Sequence, residues 1–566
     1  MKRGAVALAA AALVFYIVLA QPNHPDALTW EVLVAFPLEW PALLLAFLAF
    51  GPGRAGRVFR SAVIALLMLI VALKTADFAM FVALARGFNP VADLALIDAG
   101  LRLLTGAVGA LLTVFAALGV LLLFAALGAA LWWASGVWSA AAPRGSALRG
   151  LAAGAALLMT GVAAAEVGVR MKRWESPVAF PGTAFTARVG VERLAMARNT
   201  LADLRAFERV AARDPYADAS GLLDLIDRDV LVVFIESYGR TSLDTPLFAD
   251  LHRATLAHSE ALLEGAGLSM ASGLLASPTR GGQSWLAHAT FANGLWVDGQ
   301  TRYGAMLASG RQTLYHLAAD AGFHTAAVMP QITLDWPESS RMGFETILAA
   351  ADLGYAGRNF NWVTMPDQFV YTVIERRLRG QRPDDRPYFI QFATGSSHAP
   401  WVPVPDLVDW EAVGDGRVFD AMAASGEAPD VVWRDRDRVR AQYRLAIDYA
   451  LRTAFAWAAR QADEAPLMIV LGDHQAAGFV ALDERPDVPI HLVGPSHLVE
   501  RAARDWGLTP GLIPAESTPV VAMDRMRDRI LRTYSSSASQ LAAPATTPAA
   551  PAVPARAAQA AAGDGE

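Results

Sequence analysis

The 566-residue sequence contains no cysteine and few charged side chains. Without cysteine, the protein has no disulfide, no thiol nucleophile and no thiolate-bound zinc. Charged residues make up only 18% of the chain and hydrophobic residues 54%, a balance too apolar for a wholly soluble protein. The formal net charge of −6 is modest and suggests no nucleic-acid partner. The composition therefore indicates a membrane protein without thiol chemistry.

The hydrophobic excess lies in the amino-terminal part of the chain. Apolar runs that are long enough to cross the roughly 30 Å hydrocarbon core of a bilayer occur near residues 4–20, 30–50, 61–85, 105–134 and 149–168. Lys and Arg residues precede the first run and lie between the second and third and between the fourth and fifth, which predicts a cytoplasmic amino terminus. Residues 1–168 are therefore predicted to form a membrane domain of about five transmembrane helices, with the following domain outside. If the first run is instead a cleaved signal peptide, that domain is still outside.

The rest of the chain divides into three parts. Residues 169–225 have mixed charge and short apolar repeats, which predicts a helical connector. Over residues 226–535, apolar strands alternate with helices, a pattern of βαβ units in a mostly parallel central sheet with helices on both faces. The run 488–493 is predicted to be a strand near the edge of that sheet. Residues 536–566 are rich in Ala and Pro and are predicted to be a disordered tail. The predicted fold class is an α-helical membrane domain followed by an α/β domain.

Two predicted strands of the α/β domain end in side chains that can bind metals. The apolar run 230–235 is followed by Glu236, and the run 467–471 is followed by Gly472 and then by Asp473 and His474. In open α/β sheets, ligands bind beyond the carboxyl ends of the strands. A strand followed by a polar turn would explain either stretch alone. The two stretches together favour a shared metal site.

A glycine-containing turn between these strands offers a hydroxyl group for chemistry. The stretch Ser277-Pro-Thr-Arg-Gly-Gly-Gln-Ser284 leads into a predicted helix, whose first backbone N–H groups can hold an anionic ester. A hydroxyl close to a divalent metal can lose its proton and attack phosphorus. Thr279 and Ser284 are both candidates, and helix capping is the alternative role for each.

These residues together resemble a known group of enzymes. Glu236 after a strand, the hydroxyl on the turn, the stretch Ser396-Ser-His398-Ala-Pro400 and the stretch Gly472-Asp473-His474 are similar to the motifs of the sulfatase-like branch of the alkaline phosphatase superfamily. The membrane half is similar to that of lipoteichoic acid synthases and phosphoethanolamine transferases. The resemblance implies an alkaline phosphatase/sulfatase-like fold for residues 226–535. It also implies a multi-pass protein of a bacterial-type inner membrane, with this domain on the periplasmic or extracellular side.

The resemblance implies roles for individual residues at the metal site. Glu236, Asp473 and His474 correspond to the family's metal ligands, and the oxygen of the nucleophile is a further ligand. This ligand set suits one divalent ion, manganese or zinc, with magnesium possible. Thr279 resembles the threonine that serves as nucleophile and metal ligand in the transferase relatives, and Ser284 is the alternative.

The resemblance implies that two further residues contact the substrate, and the position of a third makes it a candidate. His398 corresponds to a histidine that contacts the phosphate or the leaving group, and Arg341 to an arginine that holds the anionic head group. His288 lies one helical turn after Ser284 and either faces the site or only packs. True sulfatases convert a Cys or Ser to formylglycine, and Ala276 occupies that position here. The resemblance therefore disfavours sulfate-ester hydrolysis by formylglycine.

The function implied is transfer of a phospho-alcohol, phosphoglycerol or phosphoethanolamine, through a covalent phospho-enzyme. The donor is a membrane phospholipid, and the acceptor is an envelope glycan or lipid. A sulfatase-like hydrolase of phosphate or sulfate esters is the second hypothesis. A non-catalytic envelope protein is the third, which the intact set of Glu236, Thr279, Asp473 and His474 disfavours. No oligomeric state is predicted.

Overall fold

A computed structural model describes residues 2–30, 34–84 and 87–537 of the chain. The chain forms two compact units, Met1–Asp203 and Leu204–Glu566. Almost all of the predicted tail, residues 536–566, lies outside the described residues.

The amino-terminal unit is helical. Its helices are α1 (Lys2–Ala20), α2 (Glu39–Phe50), α3 (Arg54–Leu84), α4 (Ala95–Val108), α5 (Ala110–Ala140), α6 (Ser146–Arg170) and α7 (Phe185–Ala211), the last of which ends in the second unit. Within the described residues, three helices are long and apolar enough to cross a membrane, at Arg54–Val82, Ala110–Ala140 and Ser146–Arg170. The apolar parts of α1 and α2 are shorter. Three of the five predicted runs thus coincide with long helices. The other two coincide with shorter apolar helices. The helix α2, for example, has 12 residues and is only about 18 Å long.

Buried polar side chains connect the helices of this unit. Lys74 in α3 donates from Nζ to Thr186 Oγ1 at 2.7 Å and to the carbonyl oxygen of Leu19 at 3.2 Å. Asp77, one turn later, forms an ion pair with Arg193 of α7 at 2.8 Å. Charged groups at membrane depth are expensive unless they are paired or hydrogen-bonded, so these contacts hold α3 against its neighbours.

The second unit is built around a nine-stranded sheet. The strands are β1 (Val230–Ile235), β2 (Ser269–Ala276), β3 (His324–Met329), β4 (Thr346–Ala349), β5 (Tyr388–Ala393), β6 (Leu467–Gly472), β7 (Asp487–Gly494), β8 (Thr509–Pro510) and β9 (Val520–Ala522). Their order is β4-β3-β5-β1-β6-β7-β2-β8, and β9 pairs with β2. The five strands from β4 to β6 are mutually parallel, and β7 is antiparallel to both of its neighbours.

The helices of this unit cover both faces of the sheet. They are α8 (Thr241–Asp244), α9 (Pro246–Gly265), α10 (Ser284–Asn293), α11 (Gln300–Ala308), α12 (Leu314–Asp320), α13 (Asp367–Val373), α14 (Asp420–Ala423), α15 (Pro429–Val432), α16 (Arg436–Arg460), α17 (Gly478–Ala481), α18 (Ser496–Trp506) and α19 (Met526–Tyr534). Along β1, Leu231 and Val233 pack with α9 and α16, while Val232 and Phe234 pack with α10, α12, α18 and α19. Successive side chains of a strand point to opposite faces, so the continuous apolar run of β1 follows from a strand covered on both sides. The predicted fold class is confirmed: a helical region with apolar helices precedes a mostly parallel α/β domain.

The strand β7 was predicted near the edge of the sheet, and β2 and the two-residue β8 separate it from that edge. β7 lies between β6 and β2, and β2 covers its outer side over the whole length of the strand. The strand β2 was not predicted, because Ser269–Ala276 contains Gly273, two alanines and two serines and lacks the β-branched residues that mark a strand. At Gly273, an added Cβ would lie 2.6 Å from a methyl carbon of Leu508, so this small residue is needed where Leu508 packs on the sheet.

Candidate metal centre

The sheet register brings the three predicted metal ligands together. Strands β1 and β6 are parallel neighbours in which Ile235 pairs with Gly472, so Glu236 and Asp473 both follow at the same end of the sheet. One ligand atom from each of Glu236, Asp473 and His474 lies within 4.8 Å of the others. Within the described residues, this is the group of carboxylates and imidazole that could hold a metal ion.

Backbone groups fix the orientation of these ligands. Asp473 Oδ1 accepts hydrogen bonds from the backbone N–H of Ser237 at 2.8 Å and of His474 at 2.6 Å. Ser237 has a φ of 60°, an uncommon conformation for a non-glycine residue, and its carbonyl oxygen accepts a hydrogen bond from the Tyr443 hydroxyl at 2.9 Å. His474 Nε2 lies 3.2 Å from Glu236 Oε1. The carboxylate of Asp473 is therefore held in place before any ion binds.

The glycine-containing turn places Ser284 against this cluster. Gly281 has a φ of 72°, and its N–H donates to the carbonyl oxygen of Gln475 at 2.7 Å, which ties the turn to the segment after His474. The helix α10 then begins at Ser284, whose Oγ donates to Glu236 Oε2 at 2.8 Å. The same Oγ lies 3.3 Å from His474 Nε2. Ser284 is thus in direct contact with two of the three candidate ligands.

Thr279 lies on the same turn without such a contact. Its side chain is buried, and Oγ1 has no hydrogen-bond partner within the described part of the chain. Its backbone N–H lies 3.4 Å from Ser277 Oγ, which in turn donates to the carbonyl oxygen of Asp473 at 2.6 Å. The turn is therefore anchored to the metal cluster through Ser277, and Thr279 follows this anchor by two residues.

The loop after β5 brings His398 to the same end of the sheet. β5 is the other parallel neighbour of β1, and the Glu236 N–H lies 3.4 Å from Thr394 Oγ1. Asp367 shapes the loop, since its Oδ1 accepts the backbone N–H groups of Gly395 at 2.8 Å and Ser396 at 3.0 Å. His398 is exposed and lies close enough to Glu236 to interact with it electrostatically. An exposed imidazole beside the cluster can meet a substrate that arrives from solvent.

His288 and Arg341, the other two predicted substrate contacts, differ in their surroundings. His288 packs its ring 4.2 Å from that of Phe234, and its Nε2 is buried without a hydrogen-bond partner among the described residues. Burial lowers the pKa of His288 to about 4, so the imidazole is neutral at pH 7. Arg341 is exposed at the end of a 3₁₀ turn and donates to the carbonyl oxygen of Leu307 at 3.3 Å. Within the described residues, this hydrogen bond to Leu307 does not connect Arg341 with the cluster.

When no cation is bound, two of the three ligand side chains, Asp473 and His474, favour their protonated forms. Burial and the nearby charge of Glu236 raise the pKa of Asp473 well above its usual range. Burial disfavours a charged His474, but the carboxylates of Asp473 and Glu236 outweigh it and raise the pKa of His474 to about 9. Burial likewise opposes ionisation of Glu236, yet the adjacent His474 holds the pKa of this carboxyl well below its usual range. The cluster therefore needs positive charge, which protons supply in the absence of a metal.

A divalent cation fits this donor set. Two carboxylates, one imidazole and the Ser284 hydroxyl offer the oxygen and nitrogen ligands that suit manganese or zinc, and the sequence contains no cysteine for a thiolate site. The carboxylate of Asp473 is fixed by the backbone, so the cation would meet a preformed ligand. The residues that would hold it are Glu236, Asp473 and His474, with Ser284 beside them.

We expect metal affinity to increase with pH. A metal displaces the protons of Asp473 and His474, whose pKa values are both raised, and proton release is favoured as the pH rises toward about 9. Titration calorimetry of the full-length protein with Mn²⁺ at several pH values should show a gain of up to about tenfold per pH unit for each proton released. Repeating it in buffers of different ionisation enthalpy counts the protons directly. An affinity that stays constant between pH 6 and 8 would contradict the ligand assignment.

Three residues that shape the site were not singled out from the sequence. Ser237 contacts both Glu236 and Asp473, and its position directly after Glu236 was an available signal. Asp367 and Tyr443 carry no such signal, because they reach the site from helices distant in sequence. Their contacts depend on the tertiary fold.

The comparisons with known proteins agree with this architecture. Residues 228–486 match the sequence model of the Sulfatase family, which places this segment of the chain in that family. No curated protein sequence matches the chain. The motif resemblance to the sulfatase-like branch is thereby confirmed for the segment that contains Glu236, Asp473 and His474.

Several solved structures are similar to the chain at low identity. The lipooligosaccharide phosphoethanolamine transferase A from Neisseria meningitidis is 12% identical, with 92% of this chain and 95% of that one covered and a TM-score of 0.45. The phosphoglycerol transferase GacH from Streptococcus pyogenes is 12% identical, with 60% and 82% covered and a TM-score of 0.35. The lipoteichoic acid synthase LtaP from Listeria monocytogenes is 11% identical, with 58% and 76% covered and a TM-score of 0.35. The family assignment rests on the matched segment alone.

Proposed function

We propose that the protein is a membrane-anchored, metal-dependent phospho-alcohol transferase that forms a covalent phospho-enzyme. Its donor is a membrane phospholipid, its acceptor an envelope glycan or lipid, and the group moved is phosphoglycerol or phosphoethanolamine. The observation that carries the proposal is the position of the Ser284 hydroxyl, at 2.8 Å from Glu236 and 3.3 Å from His474. A hydroxyl in contact with metal ligands is placed for nucleophilic attack on phosphorus.

Ser284 is the proposed nucleophile, in preference to Thr279. Ser284 touches two ligand residues, whereas the Thr279 hydroxyl has no partner among the described residues. No side chain caps the start of α10, and the Leu286 N–H donates to the carbonyl oxygen of Gln283 at 2.9 Å. The N–H groups of Ser284 and Trp285 are therefore the ones that can hold phosphoryl oxygens beside the Ser284 hydroxyl. Both requirements of phosphoryl transfer, a hydroxyl and N–H donors, meet at Ser284.

The chemistry follows from the residues around Ser284. A bound divalent cation lowers the pKa of a hydroxyl beside it and offsets negative charge on the phosphoryl group. Ser284 Oγ attacks phosphorus, its proton passes to solvent, and the bond from phosphorus to the diacylglycerol oxygen breaks. His398, exposed at the same end of the sheet, donates a proton to the leaving diacylglycerol oxygen. The acceptor hydroxyl then attacks the same phosphorus and gives its proton to the deprotonated His398. The bond from phosphorus to Ser284 Oγ breaks, and Ser284 Oγ takes a proton from solvent.

The arrangement favours transfer over the two alternatives. A helical unit with three long apolar helices keeps the catalytic domain with a donor that is itself a lipid. Hydrolysis through formylglycine requires a Cys or Ser at the position that is oxidised in sulfatases, and Ala276 occupies that position here. A non-catalytic role leaves unexplained why Glu236, Asp473, His474 and Ser284 converge.

Peptide mass spectrometry tests the proposal. The full-length protein is incubated with Mn²⁺ and a mixture of bacterial phospholipids, quenched in acid and digested. We expect a phosphoglycerol or phosphoethanolamine adduct on the peptide that contains Ser284, and none in the Ser284→Ala variant. An adduct that is released as free phospho-alcohol with equal yield whether or not an acceptor glycan or lipid is present would favour the hydrolase. The absence of an adduct and of diacylglycerol would refute the covalent mechanism.

A further inference from the structure

The helical unit contains a cavity of about 510 Å³ with mostly apolar walls. Side chains from α1, α2, α3, α6 and α7 line it, among them Leu43, Leu67, Ile70, Ala163 and Val167. An apolar cavity of about 150 Å³ already stays dry and binds a molecule of benzene. A space more than three times as large, in helices suited to a membrane, fits a long hydrocarbon chain.

The cavity lies beyond the basic residues at the starts of α3 and α6, which are the ends of these helices predicted to be cytoplasmic. The part of α3 that lines it, Val63 to Ile70, begins about one turn after Arg60, the last of the three arginines in the first two turns of that helix. The part of α6 that lines it begins at Thr160, about four turns after Ser146. Basic residues mark the cytoplasmic end of such helices. The cavity therefore opens toward the middle and the opposite side of the membrane, the side predicted for the catalytic domain.

One wall of the cavity carries an incompletely paired carboxylate. Glu39, the first residue of α2, accepts the backbone N–H of Ala187 through Oε1 at 2.8 Å. Its Oε2 is shielded from solvent and has no hydrogen-bond partner within the described residues. The positive charge of Lys74 acts on Glu39, but Lys74 donates its hydrogen bonds to Leu19 and Thr186 instead. Leaving a buried carboxylate oxygen without a hydrogen bond is costly, so the site is complementary to a ligand that donates one.

The same cavity is also lined by Arg173 and Trp174, which follow the end of α6. Trp174 is half exposed, and its Nε1 donates to the carbonyl oxygen of Ala165 at 3.2 Å. Trp and Arg beside an apolar cavity are the residues expected where a lipid head group meets the hydrocarbon region. The wall of the cavity thus carries Arg173, a cation that can bind a phosphate, and Glu39, an acceptor that can bind an amine.

We infer that this cavity binds one acyl chain of a phospholipid whose head group carries an ammonium group. The chain occupies the apolar space, Glu39 Oε2 accepts a hydrogen bond from the ammonium group, and Arg173 neutralises the phosphate. An anionic phospholipid without an amine would leave Glu39 Oε2 without a hydrogen bond and place a negative head group near it, which makes this lipid the weaker ligand. Insofar as this lipid is taken to be the donor, the inference rests on the proposed function. A donor with an ammonium head group would transfer phosphoethanolamine rather than phosphoglycerol.

Native mass spectrometry of the full-length protein tests the binding without requiring turnover. The protein is released from detergent in the presence of equal amounts of phosphatidylethanolamine and phosphatidylglycerol, and retained lipids are counted. We expect one retained phosphatidylethanolamine, preferred by about tenfold, a ratio that corresponds to about 1.4 kcal/mol. The Glu39→Gln variant should retain lipid but lose the preference, because glutamine keeps an acceptor oxygen without the charge.

A matched pair of variants on α6 separates the cavity from the general lipid surface. Ala164→Phe places a ring at the cavity wall and should abolish retention, while Leu157→Phe, at a side chain 73% exposed on the same helix, should bind as the wild type does. Retention by Ala164→Phe equal to wild type, or an unchanged preference in Glu39→Gln, would overturn the inference. Selective retention in a protein that transfers no head group would leave the cavity assignment intact and refute the proposed function instead.

Discussion

The Ser284→Ala variant is expected to lose transfer activity by at least about a thousandfold, whereas Thr279→Val should stay within about threefold of wild type. Removing the nucleophile removes the covalent step, and only weak direct attack by the acceptor remains. The Thr279 hydroxyl is buried and unpaired among the described residues, so valine preserves its shape and removes a polar group that makes no hydrogen bond. Diacylglycerol release from a labelled phospholipid measures both rates.

A conservative variant distinguishes chemistry from folding in this experiment. Ser284→Thr keeps a hydroxyl at the start of α10 and should retain measurable turnover together with the phospho-enzyme adduct. The same unfolding midpoint in all three variants would show that the turn is intact. Loss of activity in Thr279→Val, with activity kept in Ser284→Ala, would restore Thr279 as the nucleophile and leave the class of enzyme unchanged.

The strands at the centre of the sheet were predictable because each is covered on both faces. Continuous apolar runs as short as β1 and β6, bounded by polar residues, are typical of buried parallel strands. The strand β2 could not be recognised, since its small residues are selected by Leu508 packing on Gly273, a contact between segments distant in sequence. This strand is the outer neighbour of β7, which was predicted near the edge of the sheet.

The candidate metal ligands were predictable from the sequence because they follow the ends of strands. The hydroxyl beside them was not, because its position depends on a turn. Glu236 and Asp473 come together because β1 and β6 are neighbours in register, a consequence of the α/β fold. The choice between Thr279 and Ser284 depends instead on the φ angles of Gly281, Gly282 and Gln283, all positive. These angles reverse the chain so that α10 starts against Glu236, and no sequence pattern specifies them.

The Glu236→Gln and Asp473→Asn variants are each expected to lose turnover by at least about a thousandfold. Each substitution weakens binding of the cation, which stabilises the negative charge of the transition state by several kcal/mol. The amide groups keep the shape of both side chains, and in Asp473→Asn the amide oxygen can still accept the N–H groups of Ser237 and His474. An exposed carboxylate supplies the matched control: Glu411→Gln, at a side chain 81% exposed in a surface ion pair, should leave activity unchanged.

Unfolding with and without metal shows whether these two variants fail in binding the ion or in folding. Burial and Glu236 raise the pKa of Asp473 well above its usual range, so the metal-free site favours a protonated carboxyl, which asparagine resembles. The metal-free Asp473→Asn variant should therefore match the wild-type free energy of unfolding within about 1 kcal/mol. At a Mn²⁺ concentration about one hundred times the dissociation constant, bound metal should raise the free energy of unfolding of the wild type by about 2.7 kcal/mol. The free energy of unfolding of the variant should change little. An equal gain in both proteins would show that Asp473 does not bind the ion, whatever the activity of the variant.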